Sequence, residues 1–277
     1  MYFEPKTHGG NDCRDGGLKS NNPIQIAVNE SRKIWGEEAS HDLILSVGSG
    51  RAENPQKRPV TKFIIPNWLT NLFSTLLSTM NGEAEWHRFM ESQQQRVAAR
   101  SSRLNIKFPG KREPALDDLS QISSMEDTAR NYDGFHQNPT ESPFAPIRGS
   151  APTDTLKLVA ERLRASLFYL QLHSVEPQGA ITIFKASIRC RLGPGDDAYW
   201  KLLRHTKGFK VKDSFYSTGT LSQSTSMKLD VIFSHQSDDD PIRIDVDFGK
   251  PYGVAISGFP SMMKVCTALL KASGMAS

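Results

Sequence analysis

The sequence predicts an α/β fold in which part of a wound sheet with helices is followed by a small antiparallel β module, and three observations carry this. A helix with a clear start at Asn22-Pro23 leads into a short apolar run, Asp42 to Val47, that ends in Gly48-Ser49-Gly50. Amphipathic spacing typical of helices recurs through the middle of the chain. The last hundred or so residues alternate apolar and polar with a period of two instead, as half-buried strands do.

In the first element, Asn22 suits the N-cap, Pro23 the first helical position and Gln25 the third residue of a capping box. Ile24, Ala27, Val28, Ile34 and Trp35 recur at helical spacing, and Gly36 stands where a positive-φ residue ends a helix, so the helix runs from about Pro23 to Trp35. Asp42-Leu43-Ile44-Leu45-Ser46-Val47 then suits a parallel strand buried on both faces. From Pro66 to Met80, Trp68, Leu69, Leu72, Phe73, Leu76, Leu77 and Met80 share one helical face. With no Lys or Arg on its polar side, this helix is expected to pack on the sheet rather than lie on lipid.

Between Arg88 and Arg112 there are seven Lys or Arg against the single acid Glu91, and Arg96, Arg100 and Arg103 fall on one helical stripe. Such a stripe is a solvated face, or a surface steered toward anionic headgroups. From Glu113 to Asp154 the composition turns to Pro, Ser, Asp and Asn, as in a linker, with one short helix marked by Leu116, Leu119, Ile122 and Met125. Leu156 to Leu172 reads as a helix with Leu156, Val159, Ala160, Leu163, Leu167, Leu170 and Gln171 along one side. Strands follow at Ala180–Phe184, Ile188–Leu192, Phe209–Val211, Met227–Phe233 and Ile242–Phe248, an antiparallel module of the sandwich kind. The expected divisions are 1–112 for the α/β part, 113–177 for the linker and closing helix, and 178–277 for the β module.

The run Asp15-Gly16-Gly17-Leu18 is the strongest candidate for chemistry. A carboxylate acting as general base must sit on a turn that points it at a nucleophile, and two glycines after it allow such a turn and a close approach. Asp-Gly by itself is also an ordinary tight turn. Asp-Gly-Gly-Leu, Asn21-Asn22-Pro23, the helix from Asn29-Glu30 to Trp35 and Leu45-Ser-Val-Gly-Ser-Gly50 together resemble the patatin-like phospholipases, fungal type, over roughly Tyr2 to Gly50. The resemblance implies a Ser-Asp dyad with Asp15 as its acid and Gly16 and Gly17 shaping the turn. It also implies a nucleophilic Ser in G-x-S-x-G, oxyanion amides from a glycine-rich loop, glycerolipid esters at a membrane surface as substrates, and no cofactor. Met1 to Pro5 resembles the segment just before the dyad acid, so the chain is expected to hold the C-terminal part of the catalytic domain only. Ile256 to Pro260 is similar to the C-terminal tail of some fungal members.

The other half of the dyad is not in the chain. Of the 20 glycines only Gly249 and Gly253 have the required spacing, and their middle residue is Pro251. Cys13-Arg14 stand where the family has an aromatic or aliphatic residue before its Asp-Gly-Gly, which leaves Asp12 as a poorer stand-in for Asp15.

Composition fits a protein with real cores: 277 residues, 38% hydrophobic, 23% charged, formal net charge +4. No apolar stretch approaches the roughly 18 residues of a membrane span, and no leader-type segment opens the sequence, so a cytoplasmic, peripherally membrane-associated protein is expected. Cys13, Cys190 and Cys266 lack metal-ligand spacing and no His falls in a ligating pattern, so no metal is expected, and Cys13 reads as an inert thiol. Asp238-Asp239-Asp240 reads as a hairpin tip rather than a calcium loop. A small net charge without interleaved aromatics argues against nucleic acid. The expected function is a lipid acyl hydrolase lacking its nucleophile half and inactive alone. The alternative is a non-catalytic remnant that binds a protein partner through the β module, or a membrane surface.

Overall fold

The structure, a computed structural model, describes residues 6–13, 20–36, 41–53, 82–110, 118–132, 155–219, 226–236 and 241–262. Asp15, Gly16, Gly17, the helix expected at Pro66–Met80 and the triplet Asp238-Asp239-Asp240 lie outside the described residues. The chain divides into two compact units, Met1–Ala39 with Leu45–Thr140, and Ser40–Ile44 with Glu141–Ser277. It is a mixed α/β protein with antiparallel sheets. Among the described residues no helix is long and apolar enough to cross a membrane.

In the first unit, β1 (Lys6–His8) and β2 (Asn11–Cys13) form an antiparallel hairpin. Gly9 and Gly10 turn it at φ 57° and 80°, the positive values that a two-residue hairpin loop needs. Helix α1 (Ile24–Trp35) starts where the sequence places it, the Pro23 carbonyl accepting from Ala27 N–H at 2.8 Å. The capping box does not form, because the Asn22 side chain is held by Gly82 and Ser46 instead and Gln25 bonds to Asn29 and Gln93. Gly36 closes the helix at φ 90° with its N–H on the Arg32 carbonyl. Only Ile24 and Val28 of the expected apolar stripe are buried, and Ile34 and Trp35 are exposed.

Strand β3 (Ile44–Val47) pairs with β5 (Ser101–Leu104), and β4 (Arg51–Ala52) pairs in parallel with β6 (Lys107–Phe108). The parallel pairing agrees with a wound-sheet element. The expectation of burial on both faces fails for β3, where Ile44 and Ser46 are buried but Leu45 and Val47 are exposed, as in a strand with one covered face. Between these strands lie α2 (Gly82–Ser92) and α3 (Gln95–Ala98). The arginine stripe is a second correction: the helix ends at Ala98, Arg103 falls on β5, and both Arg100 and Arg103 are buried. A 3-10 turn (Leu119–Gln121) and α4 (Ile122–Arg130) supply the short helix of the linker region, the turn capped by Asp118.

In the second unit, α5 (Thr155–Ala165) stops short of its expected end, and the chain enters β7 (Phe168–Gln178). A two-residue turn at Gly179-Ala180 leads into β8 (Ile181–Cys190), one continuous strand where two were expected. Helix α6 (Asp197–His205) precedes β9 (Gly208–Val211), β10 (Ser214–Ser217), β11 (Lys228–His235), β12 (Ile244–Asp247) and β13 (Val254–Ala255). One sheet has the order β11-β8-β7 and the other β10-β9-β12-β13. Their inner faces share a core of Phe168, Phe184, Ile188, Phe209, Val231, Ile244 and Val246, with Tyr199 and Leu202 from α6. Phe184 stacks on Phe233 at 5.0 Å between ring centroids and 5° between planes, and Phe168 meets Phe209 edge-on at 5.0 Å.

Strand β11 is an edge of its sheet, and side chains of the β9-β10 hairpin occupy its outward backbone groups. Tyr216 Oη donates to the Ile232 carbonyl at 2.6 Å and accepts from Ile232 N–H at 3.3 Å. Lys212 Nζ donates to the Ser234 carbonyl at 2.5 Å.

Phe184→Ala, at a fully buried site, is expected to destabilise the protein by about 3–5 kcal/mol, while Ile232→Ala, at an exposed site, is expected to stay within about 0.5 kcal/mol. Chemical denaturation of the full chain, followed by near-UV circular dichroism, measures both.

Candidate functional site

The first described residues after the Asp15-Gly16-Gly17 run are Ser20, Asn21 and Asn22, and a polar network holds Ser20 and the buried Asn22. Asn22 donates from its backbone N–H to Glu85 Oε2 (2.5 Å) and from Nδ2 to the Gly82 carbonyl (3.1 Å), and its Oδ1 accepts from Ser46 Oγ (3.1 Å). Ser20 Oγ lies 3.0 Å from Glu85 Oε1. Ser46, on β3, accepts in turn from Arg103 Nη1 at 2.6 Å. Arg103 Nε and Asn105 Nδ2 both donate to Glu83 Oε1, at 2.6 and 2.5 Å. Asn105 Oδ1 accepts from Gly50 N–H at 2.8 Å.

The sequence folds this way for local reasons. Glu83 and Glu85 occupy the first turn of α2, where the positive end of the helix favours carboxylates. Arg103 and Asn105 lie two apart along an extended segment, so both side chains leave on the same side, toward Glu83. Gly48 and Gly50 make room for this packing: a Cβ at Gly48 would lie 2.3 Å from Asn105 Oδ1, and one at Gly50, whose φ is 102°, would lie 2.1 Å from the Phe108 ring. The space beside Gly48 and Gly50 is therefore taken by the Asn105 and Phe108 side chains.

Burial alone would raise the Glu83 carboxyl, but hydrogen bonding and charge from Arg103, with help from Asn105 and Arg51, hold it below the ordinary value. The network thus contains an ionised carboxylate with its oxygen committed to two donors. It can position a backbone segment but offers no free nucleophile.

A Ser-Asp contact occurs in the other unit. Ser187 Oγ donates to Asp230 Oδ1 at 2.5 Å, and His173 Nε2 lies 2.5 Å from the same Oγ. The Ser187 hydrogen bond, ahead of the charges of Lys228 and His173, lowers the Asp230 pKa. Ser187 is in the middle of the central strand of a sheet and is 0% exposed. It has none of the access that a nucleophile on a sharp strand-to-helix turn has, and Asp230 and Ser187 are a cross-strand pair of the register.

Of the residues singled out from the sequence for chemistry, Asp15, Gly16 and Gly17 are outside the described residues. Asn22, read as a cap, is a network member. Glu83, Arg103, Asn105 and Ser46 were not anticipated. The spacing of Arg103 and Asn105 on a strand-like segment after Ser101-Ser102 was the available signal.

No family model matches the chain, and no solved structure matches it. Among curated proteins it is similar to the calcium-independent phospholipase A2-gamma of Rattus norvegicus, with 32% identity over 78 residues, which is 28% of this chain. The chain spans 10% of the length of that relative. Over that part it is related to a phospholipase.

Glu83→Gln is expected to destabilise the protein at neutral pH by about 3–5 kcal/mol, because the buried Arg103 charge loses its counterion. Since the folded-state pKa of Glu83 lies below 4.5, its contribution is present above that value and is lost as the pH falls beneath it. The gap between wild type and variant in urea denaturation should therefore narrow below pH 4.5. A gap that stays constant through acid would contradict the ion-pair assignment.

Proposed function

We propose that this chain is part of a lipid acyl hydrolase of the patatin-like phospholipase kind and carries the acid of a Ser-Asp dyad at Asp15, with Gly16 and Gly17 shaping its turn. The observation that carries the reading is the partial likeness to calcium-independent phospholipase A2-gamma. The agreement of the Asp-Gly-Gly and Asn-Asn-Pro run with the family pattern supports it. The buried network around Asn22 suits the role, because a dyad acid needs the segment that follows it held against a rigid frame.

In this reading the substrate is a glycerolipid ester at a membrane surface, reached by a peripheral, cytoplasmic protein. A serine oxygen attacks the ester carbonyl while the Asp15 carboxylate takes its proton, and backbone amides hold the oxyanion. The tetrahedral intermediate then expels the alcohol, which takes up that proton, and water releases the fatty acid from the serine ester.

The 277 residues contain no G-x-S-x-G, so on their own they are inactive toward acyl esters. A second reading, favoured by that same missing nucleophile, is a non-catalytic module that binds a protein or a membrane through its β part.

The full chain alone is expected to release no fatty acid from phosphatidylcholine. When it is mixed with a segment bearing the family's serine half, turnover should appear and should fall by roughly 10²–10⁴-fold in Asp15→Ala but not in Asp12→Ala. Hydrolysis by the chain alone that Asp15→Ala abolishes would overturn the inactivity. Complemented turnover indifferent to Asp15→Ala would overturn the role of Asp15, and no turnover on complementation favours the second reading.

A further inference from the structure

The outer face of the β7-β8-β11 sheet carries an arginine with no counterion among the described residues. Arg189, on the central strand, stands directly opposite Lys228 on one side and Tyr169 on the other. Its Nε is shut off from solvent and makes no hydrogen bond among the described residues. Like charges directly opposite across two strands repel, and a desolvated guanidinium N–H without an acceptor costs stability. An anion placed between Arg189 and Lys228 relieves the repulsion between them, although the buried Nε itself stays closed to it.

The carboxylates that the register places on this face are already engaged. Glu176 takes Lys185 at 2.6 Å, and Asp230 takes Lys228 at 3.3 Å together with Ser187. Arg191, next along from Arg189 on the same side, adds another positive charge: it lies 5.5 Å from the Tyr169 ring centroid and donates to Ser257 Oγ. Among the described residues four basic side chains, Lys185, Arg189, Arg191 and Lys228, meet three acids here, since the Ser257 hydroxyl that accepts from Arg191 donates in turn to Asp42, and the excess charge falls to Arg189.

We propose that this sheet face docks on an anionic phospholipid surface, with a headgroup phosphate received between Arg189 and Lys228. Charge complementarity selects the occupant. Exposed Ile232, directly opposite Lys185, adds an apolar contact suited to the headgroup boundary. A single-stranded nucleic acid fits less well, because base stacking needs open aromatic faces and the Tyr169 ring has Arg191 over it. The choice of a membrane rests on the lipid reading above, but the test reads binding rather than ester cleavage.

The experiment is co-sedimentation of the full chain with vesicles of phosphatidylcholine alone and of phosphatidylcholine mixed with phosphatidylserine. Binding is expected to the mixed vesicles and not to the neutral ones. Arg189→Gln and Lys228→Gln should each weaken it by about five-fold. Lys33→Gln, a cation on α1 already paired with Glu30, should change it by less than about two-fold. If Arg189→Gln loses its fold by circular dichroism, exposed Lys228→Gln decides alone. Equal binding to neutral vesicles, no binding to mixed ones, unchanged affinity in folded variants, or tighter binding to a single-stranded oligonucleotide would each overturn the proposal. Loss of binding with Asp15-dependent complementation intact would leave the hydrolase reading standing, and the reverse result would leave the docking surface standing.

Discussion

The Glu83–Arg103 ion pair is the constraint on which the first unit depends. Its side chains are only 10% and 5% exposed, so both charges have left water and neither is tolerable without the other. Meeting that condition brings the start of α2, strand β5, strand β3 and the segment leading into α1 to one point. Among the described residues Ile24, Val28, Trp86, Phe89, Ala98 and Phe108 are apolar side chains buried in this unit beside the network. Direction comes from the polar network, because hydrogen bonds fix angles and registers that apolar contact leaves free.

The second unit is built on the opposite principle. Its core is aromatic and aliphatic from both sheets, and Lys228, Asp230 and Ser234 of β11 lie on the exposed face. Along β11 the burial alternates residue by residue from Lys228 to His235, and β8 shows the same preference at Phe184, Ala186 and Ile188. One exception is Ser187, buried on the outward side beneath His173 and Asp230. The Ser-Asp contact found in the sheet is not the dyad that the family resemblance implies. A reactive oxygen needs a turn that lifts it clear of its strand, and Ser187 has a flat ladder on both sides.

Elements with a local signature were legible in the sequence. The start of α1 at Pro23, its end at Gly36, and strands β3, β9, β11 and β12 follow from punctuation and period. Strand β7 was not legible, since Leu163, Leu167 and Leu170 keep a helical spacing across the break at Ser166, and only pairing with β8 makes the extended form the better choice. Helix α6 is nine residues long and packs Tyr199 and Leu202 inward, too short a pattern to stand out. The burial of Arg103 could not be read from charge spacing, because its partner Glu83 is 20 residues away. Asp15 and its glycines are legible only as a motif.

The seal on β11 has a consequence for how this protein can be cut or can evolve. An unpaired strand edge is a template onto which another chain can add in register. Tyr216 and Lys212 occupy that edge at Ile232 and Ser234, and both come from the single hairpin that precedes this strand in the chain. A fragment that keeps β11 but loses the β9-β10 hairpin would expose a bare ladder with Ile232 pointing outward, the combination that seeds aggregation. Without the hairpin the edge of β11 is left open at Ile232 and Ser234.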